Sequence, residues 1–139
     1  MKKILVLDGQ GGKMGCMLIN SLKMQLPSQE IIALGTNSAA TAAMLKAGAD
    51  QGATGENPVV YNSADADIIT GPIGILSANS LLGELTPAMA MAVGNSRAEK
   101  VLIPIGKCRL FVAGAQGANM SDYISAAVRE IVRLVREED

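Results

Sequence analysis

The 139-residue chain contains no histidine and no tryptophan, and its only aromatic residues are Phe111, Tyr61 and Tyr123. Without an imidazole, the ordinary serine or cysteine triad is excluded, and most catalytic zinc or iron sites lose their usual ligand. So few rings leave no stacking platform for single-stranded nucleic acid. Two cysteines, Cys16 and Cys108, cannot build a disulfide framework and lack metal-knuckle spacing. They read as reduced thiols of a reducing compartment, which makes the expected location cytoplasmic. Charge is scarce and balanced: 12 Lys and Arg against 13 Asp and Glu leave a net charge of −1, no footprint for a polyanion or an anionic membrane surface. Residues 47–96 contain no Lys or Arg, which excludes a heavily basic phosphate clamp from the middle of the chain. Long apolar runs are missing as well. The charge-free stretch 68–83 is short of a membrane span and is broken by Pro72 and three glycines. The apolar run before Asp8 is too short for a secretory signal core. Neither nucleic acid nor a membrane is an expected partner.

What is present is small and aliphatic. Hydrophobic residues make up 49% of the chain, with 15 glycines and 8 methionines, so the core is built from Ala, Val, Ile, Leu and Met. The length suits one domain. Residues 3–7 contain a continuous branched run, the mark of a strand buried on both faces of a parallel sheet, and it ends at Asp8-Gly9. Met14, Leu18, Leu22 and Leu26 then recur every fourth residue, predicting a helix from near Gly12 to before Pro27. A second strand at 31–34 leads to a helix at 39–47, capped by Asn37 or Ser38 and closed by Gly48. Residues 52–67 read as polar and turn-rich, with a short helix beginning at Pro58. A third strand at 68–70 precedes a helical stretch at 77–98, broken near Thr86-Pro87. A fourth strand is expected at 101–103, a fifth at 109–112, and a final amphipathic helix at 121–137. Strands alternating with helices predict a single α/β domain: a three-layer Rossmann-like sandwich with a mostly parallel sheet of about five strands.

In such sheets ligands sit outside the carboxyl ends of the strands. Those ends carry Asp8-Gly9, Gly35-Thr36-Asn37, Gly71-Pro72 and residues 104–106. The first turn reads Gly9-Gln10-Gly11-Gly12-Lys13-Met14-Gly15, a G-x-x-G-x-x-G pattern between strand and helix. Gly9 permits a tight turn, Gly12 lets backbone approach a pyrophosphate, and Gly15 lets the helix pack on the sheet. The N–H groups of residues 12–15 are expected to face an anion, an interaction of about 0.3–1 kcal/mol, with Lys13 adding a point charge. A nucleotide or dinucleotide, NAD or NADP, is the expected small-molecule partner. Thr36 or Asn37 would meet a ribose and Ser38 a 2′-phosphate.

Residues 6–15 resemble the phosphate-binding loop of the dihydrodipicolinate reductases, which also reads G-x-x-G followed by a basic residue, Met and Gly. That resemblance implies that Gly9, Gly12, Lys13 and Gly15 contact cofactor phosphates. The chain departs from it at Asp8. A carboxylate about 5 Å from a phosphate costs roughly 3 kcal/mol at an effective dielectric of about 20. Asp8 is therefore expected to turn away, to meet Lys13, or to hold Mg²⁺ between itself and the ligand. A second departure is the absence of Asp or Glu after the second strand, where an NAD site places one on the ribose. Across its whole length the chain also resembles a small uncharacterised bacterial family, a domain of unknown function. The stretches 8–12, 33–50, 71–75 and 80–89 carry that likeness, which implies no particular activity.

Three residues are candidates for chemistry: Asp8, Glu84 and Cys108. Glu84 is the only ionisable side chain in residues 68–96; its isolation suggests a raised pKa and general acid or base work, or else a helix cap or an ion pair. Cys108, between Lys107 and Arg109, sits in a setting that favours thiolate. Cys16 lies in the first helical turns, where the dipole can lower a thiol pKa or the side chain can simply pack. Asp65 and Asp67 precede the third strand and are expected as solvated acids on the edge opposite the site. Met89 and Met91 among Ala88, Ala90 and Ala92 suggest close helix packing, within the domain or in a homo-oligomer. Two further functions stay open beside nucleotide binding: a regulatory or scaffold protein acting through helix-mediated oligomerisation, and a small Mg²⁺-assisted enzyme using Asp8.

Overall fold

Every residue of the first strand, β1 (Ile4–Asp8), is buried, because it has strand neighbours on both edges and helices over both faces. The structure is a computed structural model and describes residues 1–105 and 109–137. On one side β1 pairs with β2 (Ile31–Gly35), which pairs in turn with β3 (Gln51–Thr54). On the other it pairs with β4 (Ile68–Pro72), followed by β5 (Glu99–Ile103). All four pairings are parallel and the order is β3-β2-β1-β4-β5. The helices are α1 (Lys13–Gln25), α2 (Ser38–Lys46), α3 (Glu56–Ser63), α4 (Pro87–Asn95) and α5 (Met120–Glu137).

Alternation along β1 divides the core. Ile4 and Val6 join Leu18 of α1, Met44 of α2 and Val128 of α5 on one face. Leu5 and Leu7 join Val59 of α3 and Met89 and Val93 of α4 on the other. Burying each such side chain stabilises by roughly 1.5–3 kcal/mol, so the two-sided strand is the strongest local determinant of the sheet. The result is the expected Rossmann-like three-layer sandwich. Two helix starts follow side-chain chemistry: Asn37 Oδ1 accepts the Ala40 N–H at 2.8 Å, and Thr86 Oγ1 accepts the Met89 N–H at 3.2 Å with Pro87 in the first turn.

Three expectations are corrected. The turn-rich segment contains β3, an edge strand of Gln, Gly, Ala and Thr with no apolar run; its backbone pairing with residues 32–35 holds it, not burial of its side chains. Residues 109–112 are not a strand; Phe111 and Leu110 are exposed, and β5 already forms that edge. Of the helical stretch expected at 77–98 with a break near Thr86-Pro87, only the part after the break is helix, α4; it is preceded by a 3-10 turn at Ile73–Leu76 and an irregular segment at residues 77–86. Asn79, Leu81 and Leu82 in that segment have left-handed φ values of 68°, 59° and 57°, incompatible with a continuing helix.

Close backbone packing makes one glycine indispensable. A Cβ on Gly71 would collide with the Leu7 carbonyl oxygen of the neighbouring strand, an atom that cannot move without shifting β1. Gly71→Ala is expected to destabilise the fold by about 1–3 kcal/mol or more in urea denaturation, whereas Gly11→Ala, with nothing within 4 Å of the added atom, stays within about 0.5 kcal/mol.

Candidate functional site

Parallel register brings the end of β1 beside the end of β2, with Asp8 opposite Gly35. From there the Asp8 side chain curls back over its own turn. Its Oδ1 accepts the Gly9 N–H and its Oδ2 the Gly15 N–H, both at 2.8 Å. The residue before α1, Gly12, has φ 73° and no side chain to cap the helix. Asp8 therefore does that work from the preceding strand, satisfying one of the orphan amides of the first turn. The carboxylate is only 5% exposed. Burial pushes its pKa above the usual aspartate range; the N–H groups of Gly15, Gly9 and Met14 pull the other way, and the Glu84 charge adds to the rise.

The rest of the turn is also largely self-satisfied. Gly12 N–H donates to the Gly9 carbonyl at 2.8 Å, and Cys16 N–H to the Gly12 carbonyl at 2.9 Å. The expectation that all the N–H groups of residues 12–15 face a guest is thus corrected: Gly12 and Gly15 bond within the protein, and the Met14 N–H bears on Asp8. The N–H groups of Gly11 and Lys13 have no acceptor among the described residues. Packing accounts for three of the glycines. A Cβ on Gly15 would lie 2.5 Å from Met44 Sδ, one on Gly12 3.1 Å from the Ala40 carbonyl oxygen, and one on Gly9 2.5 Å from Thr36 Oγ1 and 2.9 Å from Glu84 Oε1. Gly11 alone has open space around it.

Glu84, on the irregular segment after β4, reaches across this turn. Its Oε1 accepts the Thr36 hydroxyl at 2.6 Å, the Gln10 N–H at 2.8 Å and the Asn37 side-chain amide at 2.9 Å. Asn37 also donates to the Gln10 carbonyl at 3.0 Å while its Oδ1 caps α2. The Thr36 hydroxyl first, then the Gln10 N–H and with them Asn37, hold the Glu84 carboxyl below the usual glutamate range, against a rise from burial. That reverses the raised pKa expected from its isolation in the sequence. Among the described residues Glu84 makes no ion pair, but it is rich in donors.

A cavity of about 260 Å³ opens beside the turn, lined by Asp8, residues 9–14, Pro72, Leu81, Ile105 and Met120. It sits between the ends of β1 and β4, where strand addition reverses direction from β1-β2-β3 to β4-β5. A larger cavity of about 400 Å³ lies around Met1, Lys2, Leu26, Gln29 and Val135. It has no carboxylate and no glycine turn in its wall, so size alone does not make it the better candidate.

The other sequence candidates divide clearly. Thr36 and Asn37 join the Glu84 cluster; Gly35 packs tightly on Thr41; Pro72 lines the cavity while Gly71 packs under β1; Ser38 and Lys13 are exposed. Burial, with a smaller contribution from the Asp8 charge, pushes the Cys16 thiol up, so the helix start does not activate it. Cys108, with Gly106 and Lys107, lies outside the described residues. Asp65 and Asp67 are at the amino edge as expected, where Asp65 pairs with Lys3 and Asp67 with Arg97. Among the described residues no three Asp, Glu or Cys side chains converge on a potential metal site. Ile105 falls within residues 104–106, expected at this edge, whereas Leu81 and Met120 went unforeseen because each comes from a separate segment without a motif.

A parallel sheet of order 3-2-1-4-5 with a glycine turn and a cavity at its switch point defines a Rossmann-like α/β protein. The chain belongs to the family described as Domain of unknown function (DUF3842), whose profile matches residues 3–136. No curated protein and no solved structure matches it. No helix among the described residues is long and apolar enough to cross a membrane.

The two carboxylates respond to pH in opposite senses. The lowered folded pKa of Glu84 contributes stability that is present above its unfolded value and lost as pH falls through the folded one. The raised pKa of Asp8 makes stability fall as pH rises from the ordinary aspartate range through the folded value. Thr36→Val, which removes the largest cause acting on Glu84, is expected to move the Glu84 carboxyl midpoint up towards that of free glutamate in a ¹³C NMR titration. An unmoved midpoint would show that Thr36 does not hold the carboxylate.

Proposed function

We propose that this protein binds a nucleotide or dinucleotide of the NAD or NADP type at the carboxyl edge of its sheet. The observation that carries this reading is the position of the 260 Å³ cavity, at the switch point and walled by the glycine turn. The cavity is smaller than the roughly 300–1,000 Å³ usual for whole ligands, so it takes one nucleoside half. Phosphates then lie over the N–H groups of Gly11 and Lys13, which have no acceptor among the described residues, near the exposed Lys13 ammonium, and extend towards Gln10, with the second nucleoside beyond them on the Thr36 and Asn37 side. Asp8, an acid in the cavity wall whose pKa is raised by burial, is the group best placed to exchange a proton with a bound ligand. Both Asp8 oxygens already accept main-chain N–H groups, which leaves the Mg²⁺-assisted reading less supported. The free thiol of Cys16 fits a cytoplasmic setting, and the 67% exposed Met91 on α4 fits a homo-oligomer.

Thermal shift with NAD, NADP, ATP, FAD and coenzyme A tests the reading. A ligand at a hundred times its Kd is expected to add about 2.7 kcal/mol of stability. Gly11→Val adds a side chain where a ligand would approach and where no described residue stands within 4 Å of the added Cβ; it is expected to abolish the shift while leaving urea stability unchanged. Gly12 is unsuited to that test, since its φ of 73° and the nearby Ala40 backbone would perturb the fold. Unaltered affinity in Gly11→Val would move the site elsewhere, and no shift with any ligand would favour the scaffold reading.

A further inference from the structure

We propose that Glu84 is an internal stand-in for an anionic group of the ligand: a phosphoryl oxygen displaces its Oε1 from Gln10 N–H, Thr36 O–H and Asn37 N–H₂ and releases the tip of the segment at residues 77–86. This rests on the nucleotide reading and names the group that reaches this part of the edge. Three donors from two separate elements, the glycine turn and the segment after β2, converge on one oxygen at 2.6–2.9 Å. These donors do not depend on Glu84 for their placement. Asn37 is fixed by its bond to Ala40 N–H and Thr36 by its own N–H on the Asp8 carbonyl at 3.0 Å, so the donor set persists when the carboxylate leaves.

The backbone on both sides of the contact is where the unfavourable conformations gather. Four non-glycine residues among those described have positive φ: Gln10 on the turn, and Asn79, Leu81 and Leu82 on the segment that delivers Glu84. Leu82, at the tip, is 92% exposed. The base of the segment is anchored, by Ser80 Oγ donating to the Gly74 carbonyl at 2.5 Å, by the buried Leu85, and by Asn79 N–H on the Leu85 carbonyl at 2.7 Å and Leu85 N–H on the Ser80 carbonyl at 3.2 Å, so the part free to move is its tip, residues 81–84, which carries the contact. Leu81 is both a wall of the 260 Å³ cavity and a close neighbour of Gly9, so release of the segment also enlarges the cavity. The exchange also answers the charge problem posed by Asp8. A phosphate arriving as Glu84 departs replaces one negative charge with another, where simple addition would leave three acidic groups together.

Backbone amide NMR and hydrogen exchange on the full chain test this, with NAD and inorganic phosphate as probes. In the wild type, NAD is expected to speed exchange of the amides of residues 79–83. Glu84→Ala removes the competitor and raises NAD affinity at least tenfold; Glu84→Gln, which keeps an acceptor but no charge, raises it less. Thr36→Val removes a donor that serves both partners, so it speeds exchange in the apo protein and changes NAD affinity less than about threefold, whereas on the Glu84→Ala background, where only the ligand uses that donor, it weakens NAD binding about tenfold. Protection of residues 79–83 by NAD, or weaker binding by Glu84→Ala, would overturn the proposal and make Glu84 a direct ligand contact. If no nucleotide binds any of these proteins, the nucleotide reading fails by itself. Inorganic phosphate on Glu84→Ala then decides the inference: shifted Gln10 and Asn37 amide signals support it, and unmoved signals overturn it.

Discussion

The bond from Asp8 to the first turn of α1 sets the geometry of the whole carboxyl edge. Both carboxylate oxygens are spent on main-chain N–H groups, one at residue 9 and one at residue 15, so six residues of chain must leave the strand and return within the reach of one side chain. Gly12 in the left-handed region and Gly15 against Met44 make that return possible. The helix that begins there has no cap of its own, and a buried acid with no cation beside it would be costly if its oxygens were unmet. Each supplies what the other lacks. The turn's outer side is left to present Gln10, whose N–H points away from the helix and finds Glu84.

Two acids near one another have thus been given opposite environments. Asp8 is buried and its desolvation outweighs the N–H groups around it; Glu84 is less buried and its donors outweigh its desolvation. The difference is one of solvent access more than of hydrogen-bond count, since each carboxylate is met by backbone or side-chain donors. Lys13 is exposed, and among the described residues the two carboxylates are held by neutral donors and a helix start. That is a site of directed dipoles, in keeping with a middle section of chain that has no Lys or Arg.

The fold was legible in the sequence wherever burial decided the structure. The run at residues 4–7, the four-residue spacing from Met14 to Leu26 and the apolar face of α5 all reflect side chains that must leave water. β3 was not legible, because Gln51, Gly52, Ala53 and Thr54 are held by main-chain pairing at an edge, and pairing leaves no hydrophobic signature. The segment at residues 77–86 misled for the opposite reason: Ala and Leu have helical propensity, but three left-handed residues and Gly83 close the chain into a loop whose Glu84 meets a turn some seventy residues earlier. The residues of the candidate site, Asp8, the glycine turn, Thr36, Asn37 and Glu84, could each be picked out by type and position. Their arrangement could not, since which acid meets which amide is a matter of tertiary distance.

The glycine pattern shows why this matters for reading function. A G-x-x-G-x-x-G turn suggests backbone cleared for a ligand, yet here Gly9 is cleared for Thr36, Leu81 and Glu84, Gly12 for Ala40, and Gly15 for Met44 and Asp8. Such glycines are needed whether or not anything binds, because the turn must close on α2 and on the segment after β4. The discriminating glycine is the one without an internal reason. Gly11 has an ordinary φ, no described residue within 4 Å of where its Cβ would stand, and a place in the wall of the switch-point cavity. The cavity and Gly11 therefore suit a ligand at this edge in a way that the other glycines of the turn, each taken up by packing, do not.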